Sequence, residues 1–305
     1  SSSQETLNAF NGAGTTTISG SGVLDVTKIR ISQYNYNAAF QNVINLNTGG
    51  VIRLNNFTID PGASPKGMVN FNGGTVIAKT STPDFLGTWT NKWLNGIFCR
   101  ILEGGAVIDS GANGIAIKQP LVSGATADGG LRKKGTGTLS LLSTNCYNGP
   151  TVIENGTLAF DPQTYTQTLY TTVTCTDTNG TLGKNGSGML VLDPGTTAVN
   201  TFGSLWCSNG TMVVASGTNR VTRYCGVQNG PGLRVSGGTL LVAGGVLMTT
   251  TGIYVNVDGG HLLVTNGLVD TLSCNEMLNG IGSTYGYMTV GGSGVILTKR
   301  VRITQ

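Results

Sequence analysis

Residues 237–242 read Gly-Gly-Thr-Leu-Leu-Val and residues 259–264 read Gly-Gly-His-Leu-Leu-Val, a tight turn followed by a short apolar run. Most of the chain repeats this phrase, in which a Gly-Gly or Asn-Gly pair usually precedes a hydroxyl or apolar residue. Its ten copies start 22 to 32 residues apart, at residues 49, 73, 104, 129, 155, 179, 209, 237, 259 and 291. Such a period is typical of a β-solenoid, in which each coil buries its apolar face only against its neighbours.

The segments between the glycine phrases predict short strands and no helix. In residues 51–54, 189–192 and 262–264, apolar residues alternate or run continuously, as one face of a solenoid core requires. Twelve Asn-Gly dipeptides favour the positive φ that tight corners need. We therefore predict an all-β fold: a single right-handed parallel β-helix of about ten coils, forming one domain over residues 1–305.

Three segments interrupt the repeat and predict loop excursions, near residues 33–42, 80–100 and 161–178. The first is aromatic, and the third is rich in threonine and predicts a strand pair that leaves the solenoid. The second carries Phe85, Trp89 and Trp93, which suit a lateral protein contact or a platform on which a surface glycan stacks. The alternative is a loop folded over the side of the solenoid and anchored by its aromatic side chains.

Composition argues against several classes of partner. Only 10% of the residues are charged and the net charge of +4 is scattered, so we predict no nucleic-acid partner. No apolar run approaches the ~18 residues of a membrane span. The chain begins with Ser1 rather than Met. We expect a secreted protein, extracellular or at the cell surface, whose signal peptide is already removed; a trimmed chain is the alternative.

Six cysteines are present without a C-x-x-C spacing, so the sequence predicts no zinc site. Cys146 and Cys175 lie 29 residues apart, close to one solenoid period, and Cys207 and Cys225 lie 18 apart. An even number of cysteines in a secreted chain is consistent with disulfides between these residues. Free buried thiols are the alternative.

Catalytic residues do not stand out. The fourteen acidic residues are dispersed, whereas glycoside hydrolysis needs two carboxyl groups within ~5–10 Å. His261, the only histidine, occupies the threonine position of the glycine phrase, which predicts a place in a side-chain ladder. We therefore expect a non-catalytic protein with no cofactor and no metal.

Residues 129–160 read GGLRKKGTGTLSLLSTNCYNGPTVIENGTLAF. This segment resembles the autotransporter-associated β-strand repeat, the passenger-associated transport repeat of bacterial secreted β-helix proteins. The matching residues are Gly130, Leu131, Lys133, Gly135, Gly137, Thr138, Leu139, Leu141, Asn145, Tyr147, Gly149, Thr151, Ile153, Gly156, Thr157 and Leu158. The resemblance implies a parallel β-helix exported to a bacterial cell surface, and it implies no catalytic residue.

Residues 295–303 (VILTKRVRI) predict one long strand at the end of the solenoid. Lysine and arginine in such a strand either guard an exposed edge or belong to a strand that pairs with the next molecule. The candidate self-assembly residues are Val295, Leu297, Lys299, Val301 and Ile303. A head-to-tail contact that does not close generates a filament.

We therefore predict a structural subunit that self-associates head to tail into an extracellular filament or surface layer. A monomeric, passenger-like surface adhesin and a polysaccharide lyase or hydrolase of the β-helix type are the alternatives.

Overall fold

The computed structural model describes residues 5–8, 12–32, 41–58, 66–87, 97–223, 231–252, 254–280 and 284–303. In these residues all regular secondary structure is β, in 36 strands with no helix. The strands stack in parallel as a β-solenoid of about eleven turns. The predicted fold class is confirmed, and the number of turns is close to the ten coils predicted.

The chain divides into two compact units, Ser1–Thr151 and Val152–Gln305. Each unit is a stack of coils in which three strands follow one another around the turn. We call the three stacks of strands the first, middle and third walls, in the order in which the chain passes through them. The single domain over residues 1–305 stays a prediction.

Unit 1 contains sixteen described strands before the boundary between the units. They are β1 (Glu5–Leu7), β2 (Gly14–Ile18), β3 (Val23–Asp25), β4 (Lys28–Arg30), β5 (Gln41–Asn47), β6 (Val51–Leu54), β7 (Asn56–Thr58), β8 (Lys66–Asn72), β9 (Thr75–Ala78), β10 (Thr82–Leu86), β11 (Ile97–Ile101), β12 (Ala106–Asp109), β13 (Gly114–Ile117), β14 (Leu121–Ser123), β15 (Leu131–Lys134) and β16 (Thr138–Leu141). The first wall is β1-β4-β7-β10-β13-β16, the middle wall β2-β5-β8-β11-β14 and the third wall β3-β6-β9-β12-β15. Strand β17 (Thr151–Ile153) lies at the boundary.

Unit 2 contains nineteen described strands after that boundary. They are β18 (Thr157–Phe160), β19 (Thr166–Leu169), β20 (Val173–Cys175), β21 (Thr181–Lys184), β22 (Met189–Leu192), β23 (Val199–Phe202), β24 (Ser204–Cys207), β25 (Thr211–Val214), β26 (Thr218–Val221), β27 (Leu233–Val235), β28 (Thr239–Val242), β29 (Val246–Thr249), β30 (Tyr254–Val257), β31 (His261–Val264), β32 (Leu268–Asp270), β33 (Glu276–Asn279), β34 (Tyr287–Val290), β35 (Val295–Leu297) and β36 (Val301–Ile303). The first wall is β18-β21-β24-β27-β30-β33-β36, the middle wall β19-β22-β25-β28-β31-β34 and the third wall β20-β23-β26-β29-β32-β35.

The alternation of residues along each strand determines which side chains enter the core. In the middle wall of unit 2, Leu190, Met212, Leu240 and Leu262 are direct register partners on successive strands, and all are fully buried. Because successive side chains of a strand point to opposite faces, the residues beside them face outward. The core is therefore a stack of aliphatic ladders, one rung per coil.

Glycine is required at the corners because neighbouring coils approach one another there. Gly130 has φ 71°, and a Cβ added to it would lie 1.9 Å from the carbonyl oxygen of Pro150. No L-residue fits both the positive φ and that contact. The glycine phrases of the sequence therefore mark corners, as predicted.

The predicted strand pair leaving the solenoid within residues 161–178 is wrong. Strand β19 pairs in parallel with β22 over four residues, from Thr166 opposite Met189 to Leu169 opposite Leu192. Strand β20 pairs with β23 through Thr174 and Thr201. Gln167 and Leu169 are buried and the threonines face outward, where β-branched residues suit a half-exposed wall.

The ranges of the two other predicted excursions overlap wall strands in their described parts. Within residues 80–100, β10 and β11 are wall strands that pair with β13 and β8, and residues 88–96 lie outside the described residues. Within residues 33–42, positions 41 and 42 already belong to β5, and residues 33–40 lie outside the described residues.

Candidate functional site

The last described coil of unit 2 presents an open strand edge in each of its three walls. Strands β34, β35 and β36 pair with the preceding coil through β31, β32 and β33. Within the described part of the chain no strand pairs with their other side. Among the described strands, the outer edges of β34, β35 and β36 are therefore sheet edges.

This coil also concentrates exposed apolar side chains. Ile303 is 74% exposed and Val301 43%. Seven of the thirteen exposed large hydrophobic residues among those described lie between residues 285 and 303: Tyr285, Tyr287, Val290, Val295, Leu297, Val301 and Ile303. Val290 and Val301 continue inward columns, opposite the buried Val264 and Met277, so they are exposed at the open end of the core.

Tyr287, Val295 and Leu297 continue outward columns, opposite His261, Leu268 and Asp270, and therefore face sideways.

The five predicted self-assembly residues do lie on this coil, but not in one strand. Val295 and Leu297 belong to β35 in the third wall, and Val301 and Ile303 to β36 in the first wall. Lys299 is exposed in the corner between them, where the Thr298 hydroxyl donates to the Arg300 carbonyl at 3.3 Å. The prediction of one long strand over residues 295–303 is therefore wrong, because the chain turns the corner at residues 298–300.

Charged residues surround this edge. Glu276 of β33 has a nearly buried carboxylate, and Arg302 Nη2 lies 3.0 Å from its Oε1. Arg300 forms a second ion pair with the same carboxylate. These contacts hold β36 against β33. Residues 284–303 contain Lys299, Arg300 and Arg302 and no acidic residue, so the coil is positively charged.

The first described coil of unit 1 has charges of the opposite sign. Its strands β1, β2 and β3 are the outermost strands of their walls, and Val23 is 56% exposed. Residues 5–27 contain Glu5 and Asp25 and no basic residue. A hydrogen bond from Arg30 lowers the pKa of Glu5, and one from Lys79 lowers the pKa of Asp25. Both carboxylates are therefore ionised at neutral pH.

The aromatic platform is not formed by Phe85. This side chain is 1% exposed and packs edge-on against Phe57, with ring centroids 6.2 Å apart. Phe85 occupies an inward position of β10, so it is unavailable to a glycan or a lateral partner. Trp89 and Trp93 lie outside the described residues, and their role stays a prediction.

The described cysteines have free thiols, Cys146 at the surface and Cys175 and Cys207 in the interior. Cys225 lies outside the described residues. Burial raises the pKa of Cys175 to about 11 and that of Cys207 to about 11. A thiol, unlike a thiolate, is a poor nucleophile. For these residues the structure agrees with the alternative of unbridged cysteines.

His261 lies in the predicted ladder, between Thr239 and Tyr287 on the adjoining strands. Its Nε2 lies 2.9 Å from the Thr289 hydroxyl, and its ring packs edge-on against Tyr287. The described residues contain no group of three potential metal ligands. They also contain no helix that is long and apolar enough to cross a membrane.

Residues 129–160, which resemble the passenger repeat, contain a buried lysine that was not predicted from the sequence. Lys133 has an inward position in β15 and is fully buried. Its ammonium group donates to the carbonyls of Lys134 at 2.8 Å and Gly135 at 2.7 Å. Burial lowers the pKa of Lys133 to about 8. The inward spacing from Leu131 is the sequence signal that identifies it.

A carboxylate close to this segment has a similar structural role. Asp128 is buried and accepts hydrogen bonds from the amides of Gly130 at 2.9 Å, Asn148 at 2.7 Å and Gly149 at 2.8 Å. The carboxylate oxygens of Asp128 thereby hold the corner at Gly130 against the corner at Asn148 and Gly149. Asp128 therefore has a structural role at these corners.

Residues 131–160 match the model of the Passenger-associated-transport-repeat family. The match covers 30 of the 305 residues and confirms the resemblance drawn from the sequence. No curated protein and no solved structure matches the chain. The repeat family implies a secreted or surface-exposed protein. The repeat and the β-solenoid together fit an autotransporter passenger-like β-helix protein.

Proposed function

We propose that this chain is a non-catalytic structural subunit that stacks end to end into an extracellular filament or surface layer. The observation that carries the proposal is the last described coil, whose three strands have no described strand partner on their outer side and whose inward-column residues Val290, Val301 and Ile303 are exposed. A parallel coil from a second copy has the shape and the hydrogen-bonding pattern that this edge accepts. The joint then continues the solenoid into the next molecule.

The size of the edge supports a stable joint. Strands β34, β35 and β36 comprise four, three and three residues, and parallel pairing forms about one backbone hydrogen bond per residue. At a net value of about 1 kcal/mol each, these bonds are similar in size to the entropic cost of association. Burial of the apolar side chains supplies the remaining free energy.

The charges of the two end coils are largely paired within the chain. Glu5 pairs with Lys28 and Arg30, Asp25 pairs with Arg53 and Lys79, and Arg300 and Arg302 pair with Glu276. Charge therefore contributes little to the choice between head-to-tail and head-to-head joining. A head-to-tail contact between identical subunits gives a filament on repeated joining when the contact does not close on itself.

The absence of a recognisable reactive site supports a structural role. Within the described residues, the Asp128 carboxylate accepts from three backbone amides, and Oε1 of Glu276 is paired with Arg300 and Arg302. His261 contacts a threonine and a tyrosine on its own wall. Each of these groups has a structural partner in place of a substrate.

The test compares the wild-type chain with Ile303→Asp and with Tyr170→Asp as a matched control. Tyr170 is 72% exposed but lies on a corner between β19 and β20, away from the last coil. Complete burial of Ile303 in a joint contributes about 2 kcal/mol. Ile303→Asp is therefore expected to weaken association by at least about tenfold.

Sedimentation velocity over a concentration series and negative-stain electron microscopy provide the readout. Wild type and Tyr170→Asp are expected to form assemblies of several molecules, and Ile303→Asp to remain monomeric. A monomeric wild type at all concentrations, or equal assembly of all three proteins, would refute the proposal. A monomeric wild type is also the outcome that the adhesin alternative requires.

A further inference from the structure

The Asn-Gly pairs at the corners of the solenoid carry a chemistry of their own. Nine of these pairs lie wholly within the described residues. The backbone nitrogen that follows an asparagine can attack the side-chain carbonyl carbon and close a five-membered ring. Glycine hinders this attack least, because it has no Cβ and adopts most backbone conformations. The direction in which each glycine amide points therefore decides which pairs react.

In two corners the glycine amide points at the asparagine that precedes it. The N–H of Gly156 donates to Oδ1 of Asn155 at 2.7 Å, and the N–H of Gly210 donates to Oδ1 of Asn209 at 2.8 Å. Because Oδ1 is bonded to Cγ, each nitrogen lies beside the carbon that it attacks. The two glycines have φ of 68° and 62°. All four residues are half-buried or exposed, so water reaches them.

In five of the nine described pairs the glycine amide is held by a different acceptor. For Gly73, Gly114, Gly149, Gly180 and Gly280 in turn, the acceptors are the Gly105 carbonyl, the Ser81 hydroxyl, an Asp128 carboxylate oxygen, the Asp177 carbonyl and the Val257 carbonyl. Such a bond directs the amide away from the side chain of its own asparagine. Among the described contacts, the pairs at Asn185 and Asn266 show neither arrangement.

The pair at Asn179 is the informative comparison, because the sequence Asn-Gly-Thr-Leu occurs both at residues 155–158 and at residues 179–182. The N–H of Gly180 donates to the Asp177 carbonyl at 3.0 Å. Nδ2 of Asn179 donates to Oδ1 of Asp177 at 3.1 Å, which holds the leaving group as well. Gly180 is buried, whereas Gly156 is half-buried. Two identical local sequences therefore differ only in the surroundings that the fold gives them.

We propose that Asn155 and Asn209 are sites of spontaneous deamidation in the folded protein, with water as the only co-reactant. The glycine nitrogen loses its proton to solvent and bonds to Cγ of the asparagine. The Cγ–Nδ2 bond breaks, and the side-chain nitrogen takes up a proton and leaves as ammonia. Water then opens the succinimide ring, at Cγ to give aspartate or at the main-chain carbonyl to give isoaspartate. The corner contributes by holding the reacting atoms together.

The two products affect the corner differently. Aspartate keeps an oxygen acceptor at the same position, and its charge strengthens the hydrogen bond from the glycine amide. Isoaspartate places an additional carbon in the main chain, so it changes the length of the connection between two paired strands. Each conversion adds one negative charge, so that conversion at both sites removes two units from the net charge of +4.

Peptide mapping by mass spectrometry, after incubation of the wild-type chain at mildly alkaline pH, measures the conversion at each pair. In the folded protein Asn155 and Asn209 are expected to convert at least about tenfold faster than Asn179, because only they have the attacking nitrogen in place. The same chain in denaturant is the matched control. There Asn155 and Asn179 are expected to convert at equal rates, because their local sequences are identical.

The variant Asn155→Gln identifies the site, because its longer side chain closes a larger and less favoured ring. It is expected to suppress conversion at position 155 and to leave conversion at Asn209 unchanged. The proposal is overturned if Asn155 and Asn209 convert no faster than Asn179 in the folded protein. It is also overturned if the ratio between Asn155 and Asn179 is the same in the folded and the denatured chain. Aspartate without isoaspartate at both sites would show direct hydrolysis and would equally overturn the succinimide route.

Discussion

Replacing Lys133 by methionine tests whether this lysine is a buried cation in the core of unit 1. The side chain is fully buried, and its amine donates to the carbonyls of Lys134 and Gly135. Methionine keeps the length of the side chain and removes the amine. Lys134→Met is the matched control, since Lys134 is the next residue, half-buried on the opposite face of β15.

The expected effect depends on pH, and the pKa determines its size. Burial lowers the pKa of Lys133 from 10.5 to about 8. A difference of ~2.5 pH units corresponds to at most about 3 kcal/mol. Between the two pKa values the unfolded chain binds a proton that the folded chain has released, so stability rises with pH. The gain in stability is fully present above the pKa that Lys133 has in the unfolded chain, and it is lost as the pH falls through the pKa that Lys133 has in the folded chain.

Denaturant unfolding at several pH values measures this effect as a difference between wild type and Lys133→Met. From about pH 7 to about pH 9.5, wild type is expected to gain about 2 kcal/mol relative to the variant. The carbonyls that lose a donor in the variant add an offset that does not vary with pH. Lys134→Met is expected to follow wild type. The buried-cation reasoning would be refuted if the difference in unfolding free energy between wild type and Lys133→Met were constant across this pH range.

Three further predictions concern the core, the corners and the thiols. Leu240→Ala is expected to lower the free energy of unfolding by about 2–5 kcal/mol, because Leu240 is fully buried. Leu241→Ala, at the neighbouring outward position, is expected to lower it by less than ~1 kcal/mol. Equal losses in chemical denaturation would contradict the assignment of the two faces. Gly130→Ala is expected to lower the melting temperature sharply, because Gly130 has a φ of 71° and a Cβ there would clash with Pro150. Gly114→Ala is expected to leave the melting temperature nearly unchanged, because a Cβ at Gly114 meets no atom within 4 Å. The reverse order in a thermal melt would show that the corner is not as described. In the folded protein, a thiol reagent followed by peptide mapping is expected to label Cys146 rapidly and to label the buried thiols slowly, and rapid labelling of the buried thiols would contradict their burial. The buried thiols are Cys99, Cys175, Cys207 and Cys274.

Most of the fold could be predicted from the glycine turns and from the spacing of the repeat. Corners such as Gly130 and Gly156 require positive φ, which few residues other than glycine adopt, so their positions are readable from the sequence alone. The strands between them follow from apolar alternation. The threonine-rich segment 161–178 was assigned wrongly because the alternation of Gln167 and Leu169 is a weak apolar signal. Its place in the wall comes from pairing with β22.

The candidate surfaces were predicted only in part. Val295, Leu297, Val301 and Ile303 were selected from the sequence, and all are exposed on the last described coil. The division of these residues between two walls was not predicted, because the corner at residues 298–300 contains no glycine. Tyr285 and Tyr287 gave no signal of their own, although both are exposed in the folded chain.

The sequence by itself determined that this chain coils, about how often it turns and where its repeat resembles a bacterial passenger repeat. These properties are local, because glycine, asparagine and apolar alternation act within a few residues. Only the tertiary structure decided which distant residues share a face. The buried ladder of Leu190, Met212, Leu240 and Leu262 combines residues from four successive coils. This grouping is not visible along the chain, because stacking brings together residues that are 20 to 30 positions apart.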